Sequence, residues 1–214
     1  MNEEYSNIPH IFAMSNISNY TIMANYFLSK YVVEGNKQDI DSFYEMMMRL
    51  KNADRQLDPT HFGNTWLGFI LEEFGEDPEE YMCQGQWYDL TRDGDVLRFK
   101  AETAWEPCHQ IRWMIEDKYP SLKFYYIGEN DADEIFQKKD NEGKYFPENY
   151  YLSLFGGDFM PEIDVMKRFV TKEDAYKYVS ELTGKSITND EEFKALQNEW
   201  DEGGGGACYL AEYD

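Results

Sequence analysis

Residues 85–130 constrain the fold more than any other stretch, because a hairpin, an amphipathic helix and a further strand follow one another without a break. Gln86-Trp87-Tyr88-Asp89-Leu90-Thr91-Arg92 runs into Asp93-Gly94 and returns as Asp95-Val96-Leu97-Arg98-Phe99-Lys100-Ala101-Glu102-Thr103. An Asp-Gly step between two alternating runs is a strong hairpin signal, since both central residues of a type I′ turn need positive φ. A two-residue turn at Asp93-Gly94 pairs Arg92 with Asp95, Leu90 with Leu97, Asp89 with Arg98, Tyr88 with Phe99 and Trp87 with Lys100. Side chains alternate along a strand, so this register turns Tyr88, Leu90, Leu97 and Phe99 toward the helices. It sends Trp87, Asp89, Arg98, Lys100 and Glu102 to the opposite face, where Asp89–Arg98 and Lys100–Trp87 are favourable cross-strand pairs.

The flanking segments complete the pattern. Tyr26-Phe27-Leu28-Ser29-Lys30-Tyr31-Val32-Val33 reads as a strand ended by Glu34-Gly35. Asn36 is placed to cap a helix whose inner face is Ile40, Phe43, Met47 and Leu50, with Asp39 as a capping-box variant. After the hairpin, Trp105-Glu106-Pro107 opens a helix with Cys108, Ile111, Met114 and Ile115 on one side. Leu122 to Ile127 is the next strand. Strand, helix, strand, strand, helix, strand is the split βαβ, ferredoxin-like arrangement. The expected class is therefore α+β, with an antiparallel sheet over residues 24–130, a helical insertion at 52–84 and an α/β extension at 131–200. Leu97, Phe99, Leu122, Phe124, Ile40, Phe43, Ile111 and Ile115 are expected to be buried.

Within the insertion, Trp66, Phe69, Ile70 and Phe74 form a helical stripe closed by Gly75, and Asp77-Pro78-Glu79-Glu80 is a second helix start. In the extension, Tyr150–Leu154 and Val165–Val170 read as strands. Thr171 caps a helix over 172–183, and Thr188 with Glu191 opens another reaching about Trp200. Residues 1–23 read as an arm, and residues 201–214, with Gly203 to Gly206, as a flexible tail.

Composition narrows the class further. The chain has 214 residues, 42% of them hydrophobic, which is ample for a core despite a formal charge of −22. Forty-two acidic residues against 20 basic ones, with the basic ones scattered, disfavour direct nucleic-acid binding. No run approaches the roughly 18 apolar residues of a membrane span, and Met1-Asn2-Glu3-Glu4-Tyr5 lacks the regions of a signal peptide. Cys83, Cys108 and Cys208 are odd in number and widely spaced, as free thiols of a reducing compartment are. A cytoplasmic protein is expected.

The pattern resembles the YubB-type ferredoxin-like family, proteins of plasmids, phages and other mobile elements. The residues that carry the resemblance are Ala24-Asn25-Tyr26 to Gly35, Leu97 through Thr103-Ala104-Trp105-Glu106-Pro107, Tyr119-Pro120-Ser121-Leu122 to Gly128-Glu129, and Asn141-Glu142-Gly143-Lys144-Tyr145-Phe146-Pro147. Coverage is roughly residues 24–155, interrupted by the insertion. Where such proteins often place a Gly shortly after the strand-ending Glu, this chain has Glu129-Asn130-Asp131-Ala132-Asp133. The resemblance implies a fold and a mobile-element setting, and no chemistry.

Motifs for chemistry are sparse. His10, His61 and His109 are scattered, and no Cys-x-x-Cys or Glu-x-x-His pair exists, so neither a metal nor another cofactor is expected. Asp131, Asp133 and Glu134 lack the turn Gly of a calcium loop. Cys108 near a helix start, with His109 beside it, is the one nucleophile candidate, and its place on the apolar face also suits a packing thiol. The expected function is a non-enzymatic binding module whose partner is another protein. The candidate surface is the sheet face of Trp87, Asp89, Arg98, Lys100 and Glu102, with Tyr125 of the next strand. Trp105 and Glu129 are candidates for structural anchor or site edge. An acidic nucleic-acid mimic that blocks a host nucleic-acid-handling or defence protein is the alternative. An enzyme without a recognisable motif is the second alternative, and the oligomeric state stays open.

Overall fold

The computed structural model describes residues 25–55, 62–157, 160–203 and 206–214, so the arm expected at residues 1–23 lies outside the described residues. β1 (Tyr26–Glu34) alternates cleanly, with Phe27, Ser29, Tyr31 and Val33 on one side and Tyr26, Leu28, Lys30 and Val32 on the other. α1 (Lys37–Lys51) begins where the Asn36 side chain accepts the Asp39 N–H and ends with Arg49 and Lys51 near its negative pole. It buries Ile40, Phe43, Met46, Met47 and Leu50. In the insertion, α2 (Gly68–Phe74) stops at Gly75, whose φ of 84° is the left-handed cap that suits glycine. The helix expected at Asp77-Pro78 is a single 3₁₀ turn, Pro78–Glu80, still capped by Asp77.

β2 (Gly85–Asp93), β3 (Val96–Ala104), α3 (His109–Lys118), β4 (Lys123–Asn130) and β5 (Ile135–Lys139) complete the first layer pair. The five strands form one antiparallel sheet in the order β2-β3-β1-β4-β5. α1, α2 and α3 cover one face, and all eight side chains expected inside are in that core.

The chain then builds a second antiparallel sheet, order β7-β6-β8, from β6 (Tyr150–Phe155), β7 (Asp164–Phe169) and β8 (Ala207–Glu212). α4 (Lys172–Thr183), capped by Thr171 and closed by Gly184, packs on its outer side with α5 (Asp190–Gly203). The α5 start is not the expected Thr188–Glu191 box. Asn189 accepts the Glu192 N–H, and the Glu192 carboxylate accepts both the N–H and the hydroxyl of Thr188. The inner side of the second sheet meets the outer face of the first through Val32, Ile127 and Phe136 below and Tyr151, Ala211 and Tyr213 above. The stack is therefore helices, sheet, sheet, helices. No helix among the described residues is long and apolar enough to cross a membrane.

Residues 201–214 correct the expectation of a flexible tail. Residues 207–212 pair with β6 along their whole length, and Cys208, Ala211 and Tyr213 are buried. Beyond β8, the Lys138 N–H donates to the Asp214 carbonyl at 2.8 Å and the Asp214 N–H to the Phe136 carbonyl at 3.1 Å, so the chain joins the free edge of β5. The glycines mark a joint between α5 and β8, and β8 is ordered by pairing with residues some 55 positions earlier in the chain.

The hairpin register is also corrected. Asp93 pairs with Val96, so the turn is Gly94-Asp95, with φ +59° at Gly94 and none of the positive φ expected at Asp93. Glycine at the first central position is the requirement of a type II′ turn. Tyr88 pairs with Lys100 and Thr91 with Arg98, which leaves Asp89 and Leu90 opposite Phe99 in a β-bulge, Asp89 taking φ +54°. A bulge adds one residue to one strand, so side-chain parity reverses across it. Leu90 stays with Leu97 and Phe99 over the helices, Tyr88 moves to the other face, and Trp87 moves inside, 1% exposed.

Candidate functional site

The second sheet covers only the β4–β5 end of the first sheet's outer face. Among the described residues no element lies over the β1–β3–β2 end, which with the edge of β7 forms a cleft of about 1210 Å³. Its floor is set by the strand pairing. Leu28 lies between Glu102 and Glu129, Lys30 between Lys100 and Ile127, and Tyr88 beside Lys100. Its wall is Met166 and Arg168 of β7. Large apolar groups are left in solvent here, Tyr26 and Leu28 at 46% exposure each and Met166 at 67%. Isolated exposed apolar side chains are ordinary, but a cluster rimmed by charge marks an interaction surface.

Electrostatics give this floor its character. Lys30 and Lys100 are direct cross-strand partners on one face, an arrangement that is unfavourable without a counter-charge. Lys100 has one: its ammonium lies 2.8 Å from Asp89, the bulge residue, and hydrogen bonding to Asp89 raises its pKa above the ordinary lysine value. Among the described residues no carboxylate comes within ion-pairing distance of Lys30 or of Arg98, whose partner on β1 is Val32 one row further along. Lys30 and Arg98 are therefore cations without an ion-pair partner among the described residues, on a floor that also carries Glu102 and Glu129.

Glu129 closes one end. Both its carboxylate oxygens accept from Arg168 Nη2, at 2.5 and 2.7 Å, and Tyr213 donates to it at 3.2 Å. The side chains of Glu129 and Arg168 are 16% and 18% exposed, so this pair pins β4 to β7 where the covered half begins. Asn130, buried, donates 2.8 Å to the Trp105 carbonyl and 2.7 Å to Asp133, and Tyr151 donates 2.7 Å to Asp131. The acidic turn 131–134 is thus engaged in holding the β4–β5 hairpin, and among the described residues no group of acids, histidines and cysteines has the geometry to hold a metal ion.

The expected site residues separate into three places. Asp89, Arg98, Lys100 and Glu102 do share the bare face. Tyr125 lies on the same face at its covered end, its ring 5.1 Å from Tyr145. Trp87 belongs to the core. Trp105 is 37% exposed and has φ +63°. Its backbone is what is fixed, the N–H donating 2.7 Å to the Asn25 carbonyl, so its indole is not the buried anchor that a strand-to-helix corner suggests. Tyr26, Leu28, Lys30, Met166 and Arg168 were not singled out from sequence. The alternation of β1 did place Tyr26, Leu28 and Lys30 on one face, but nothing local said which face stayed bare.

The Cys108–His109 pair is not assembled. Burial pushes the Cys108 thiol up to about 12, with Cys83 and Glu106 adding to it, the reverse of what a nucleophile needs. His109 Nε2 bonds Gln137 at 3.0 Å, and its Nδ1 lies 3.5 Å from Arg112. No protein-family model matches the chain, and no curated protein and no solved structure matches it.

Proposed function

We propose that this protein is a non-enzymatic binding module that takes an extended, acidic segment of another protein into the cleft beside β7. The observation that carries it is the facing pair Lys30 and Lys100 on a bare sheet face, amid exposed Tyr26, Leu28 and Met166. Among the described residues β7 pairs on one side only, with β6, and a strand added to its other edge would lie over β1 and β3. Acidic and apolar side chains on the floor-facing side of that strand would answer Lys30 and Arg98 and cover Leu28 and Tyr88.

The first sheet is, in this proposal, a ferredoxin-like core of YubB type, in a cytoplasmic protein of a mobile element. Its support is the antiparallel order β2-β3-β1-β4 with α1 and α3 on one face, joined to the sequence resemblance. The acidic-mimic alternative has weaker support. Mimicry needs acids gathered on one strip, whereas Glu72, Glu73, Glu76, Asp77, Glu79 and Glu80 follow the α2 layer and Asp190, Glu191, Glu192, Glu199, Asp201 and Glu202 the α5 layer, on opposite sides of the stack.

Affinity capture from the native cell, run in parallel with the parent and with Leu28→Glu/Lys30→Glu, tests this. The expected result is a partner protein recovered by the parent and lost by the folded variant. A partner that the variant retains places the interface elsewhere, and turnover of a substrate by the purified protein would end the non-enzymatic reading.

A further inference from the structure

A second feature lies on the other side of the first sheet, away from the cleft. Between that sheet and α1 and α3 is a cavity of about 40 Å³ whose lining includes Met47, Ile70, Trp87, Cys108, Ile111 and Arg112. Trp87 is 1% exposed and its indole N–H has no hydrogen-bond partner among the described residues. Arg112 also has a buried Nε–H without a partner, although its other nitrogens reach Glu116 at 3.2–3.3 Å and His109 at 3.5 Å. Leaving a buried donor unpaired is costly, and both of these donors belong to side chains that line one cavity. No carboxylate lines the cavity. Glu116 is shared between Arg112 and Lys139, the latter at 2.7 Å, so one carboxylate faces two cations and the local balance favours an anion.

We propose that this cavity binds a small carboxylate, its oxygens accepting from Trp87 Nε1–H and Arg112 Nε–H and its short apolar part lying against Ile70 and Ile111. The size agrees: a water needs roughly 10–15 Å³ by this measure, so the space holds about three waters or one acetate-sized molecule. A space of this size, with Phe43, Phe99 and Phe124 also in its lining, does not take longer chains.

The test is a titration of the intact protein with acetate, followed by the indole N–H signals in two-dimensional NMR. Trp87→Phe assigns its signal by removal. The expected result is a saturable downfield movement of the Trp87 signal with those of Trp66, Trp105, Trp113 and Trp200 unchanged. Acetone, an acceptor of similar size without charge, should bind at least about tenfold more weakly, equal to about 1.4 kcal/mol. Arg112→Lys, which keeps the charge and loses the Nε–H, should weaken acetate binding and leave the Trp87 N–H responsive at higher concentration. Because either variant can disturb folding, saturation transfer from core methyls to the acetate methyl is measured on the parent alone. A Trp87 signal that acetate leaves in place, that chloride moves equally, or that exchanges magnetisation only with internal water overturns the proposal and makes the cavity a hydration site.

Discussion

The two halves of the first sheet's outer face are built from the same strands and differ in what lies over them. On β1, Val32 is buried under the second sheet, whereas Leu28, four residues away on the same face, is 46% exposed. On the covered half, Ile127 is fully buried, with the rings of Phe136 and Tyr151 tilted against each other at 5.0 Å. On the bare half the rows hold Lys30, Arg98, Lys100 and Glu102 beside the exposed Tyr26 and Leu28. Alternation assigns a residue to a face, but burial of that face is decided by an element over a hundred residues away.

The contrast can be broken first at its most buried point. Phe136→Ala should lower stability by about 3–5 kcal/mol, as for other buried aromatic truncations, measured by urea denaturation. Leu28→Ala should stay within about 0.5 kcal/mol while weakening capture of the partner. Equal losses from the two would mean that the bare half is covered in solution.

Next is the seam between the halves. Arg168→Ala strands a largely buried Glu129 carboxylate and should cost about 3 kcal/mol. Glu129→Gln added to it should recover part of that loss, so that the double variant is less damaged than the sum of the singles. Strict additivity would show that the pair does not couple the sheets.

An acid dependence is expected on the covered half. Burial acts to raise the Asp140 pKa, but N–H donors from Tyr145, Phe146 and Lys144, at 2.7, 2.8 and 3.0 Å, outweigh it and hold the carboxyl below the usual carboxylate range. A depressed folded-state pKa gives stability that is present above the unfolded value of roughly 3.9 and is lost as pH falls through the folded one. Denaturation midpoints of the parent should therefore drop in acid more steeply than those of Asp140→Asn. Parallel curves would remove Asp140 from the account.

The smallest effect carries an opposite sign. Lys30→Glu replaces a like-charged cross-strand neighbour of Lys100 with an opposite one, so the melting temperature should rise slightly while the acidic partner is lost. A fall in melting temperature would mean that Lys30 already has a counter-charge.

Legibility from sequence followed the range of the interactions involved. α1, α4 and the core positions on β3, β4 and α3 were readable because caps such as Asn36 and Thr171 and the apolar stripes act within a few residues. The bulge was not, because Asp89 has no glycine to announce its positive φ, and that one residue moved Trp87 from the candidate site to the core. β5 was missed as a short strand ending in Lys138-Lys139. β8 was missed because Gly203 to Gly206 looks like the end of order when only its local composition is considered. Half of the candidate site was legible, Asp89, Arg98, Lys100 and Glu102. The β1 half required the β1–β3 pairing, which joins residues about 70 positions apart.

The strand that closes the seam is also the one that a ribosome delivers after all the others. Every strand of the first sheet has been synthesised by Lys139, yet the cover over Val32, Ile127 and Phe136 is completed only when residues 207–214 emerge, dock on β6 and reach β5. At about 5–20 residues per second, the nascent chain carries a sticky, half-finished sandwich for several seconds. Its vulnerability to aggregation, and any need for a chaperone, is concentrated in that interval.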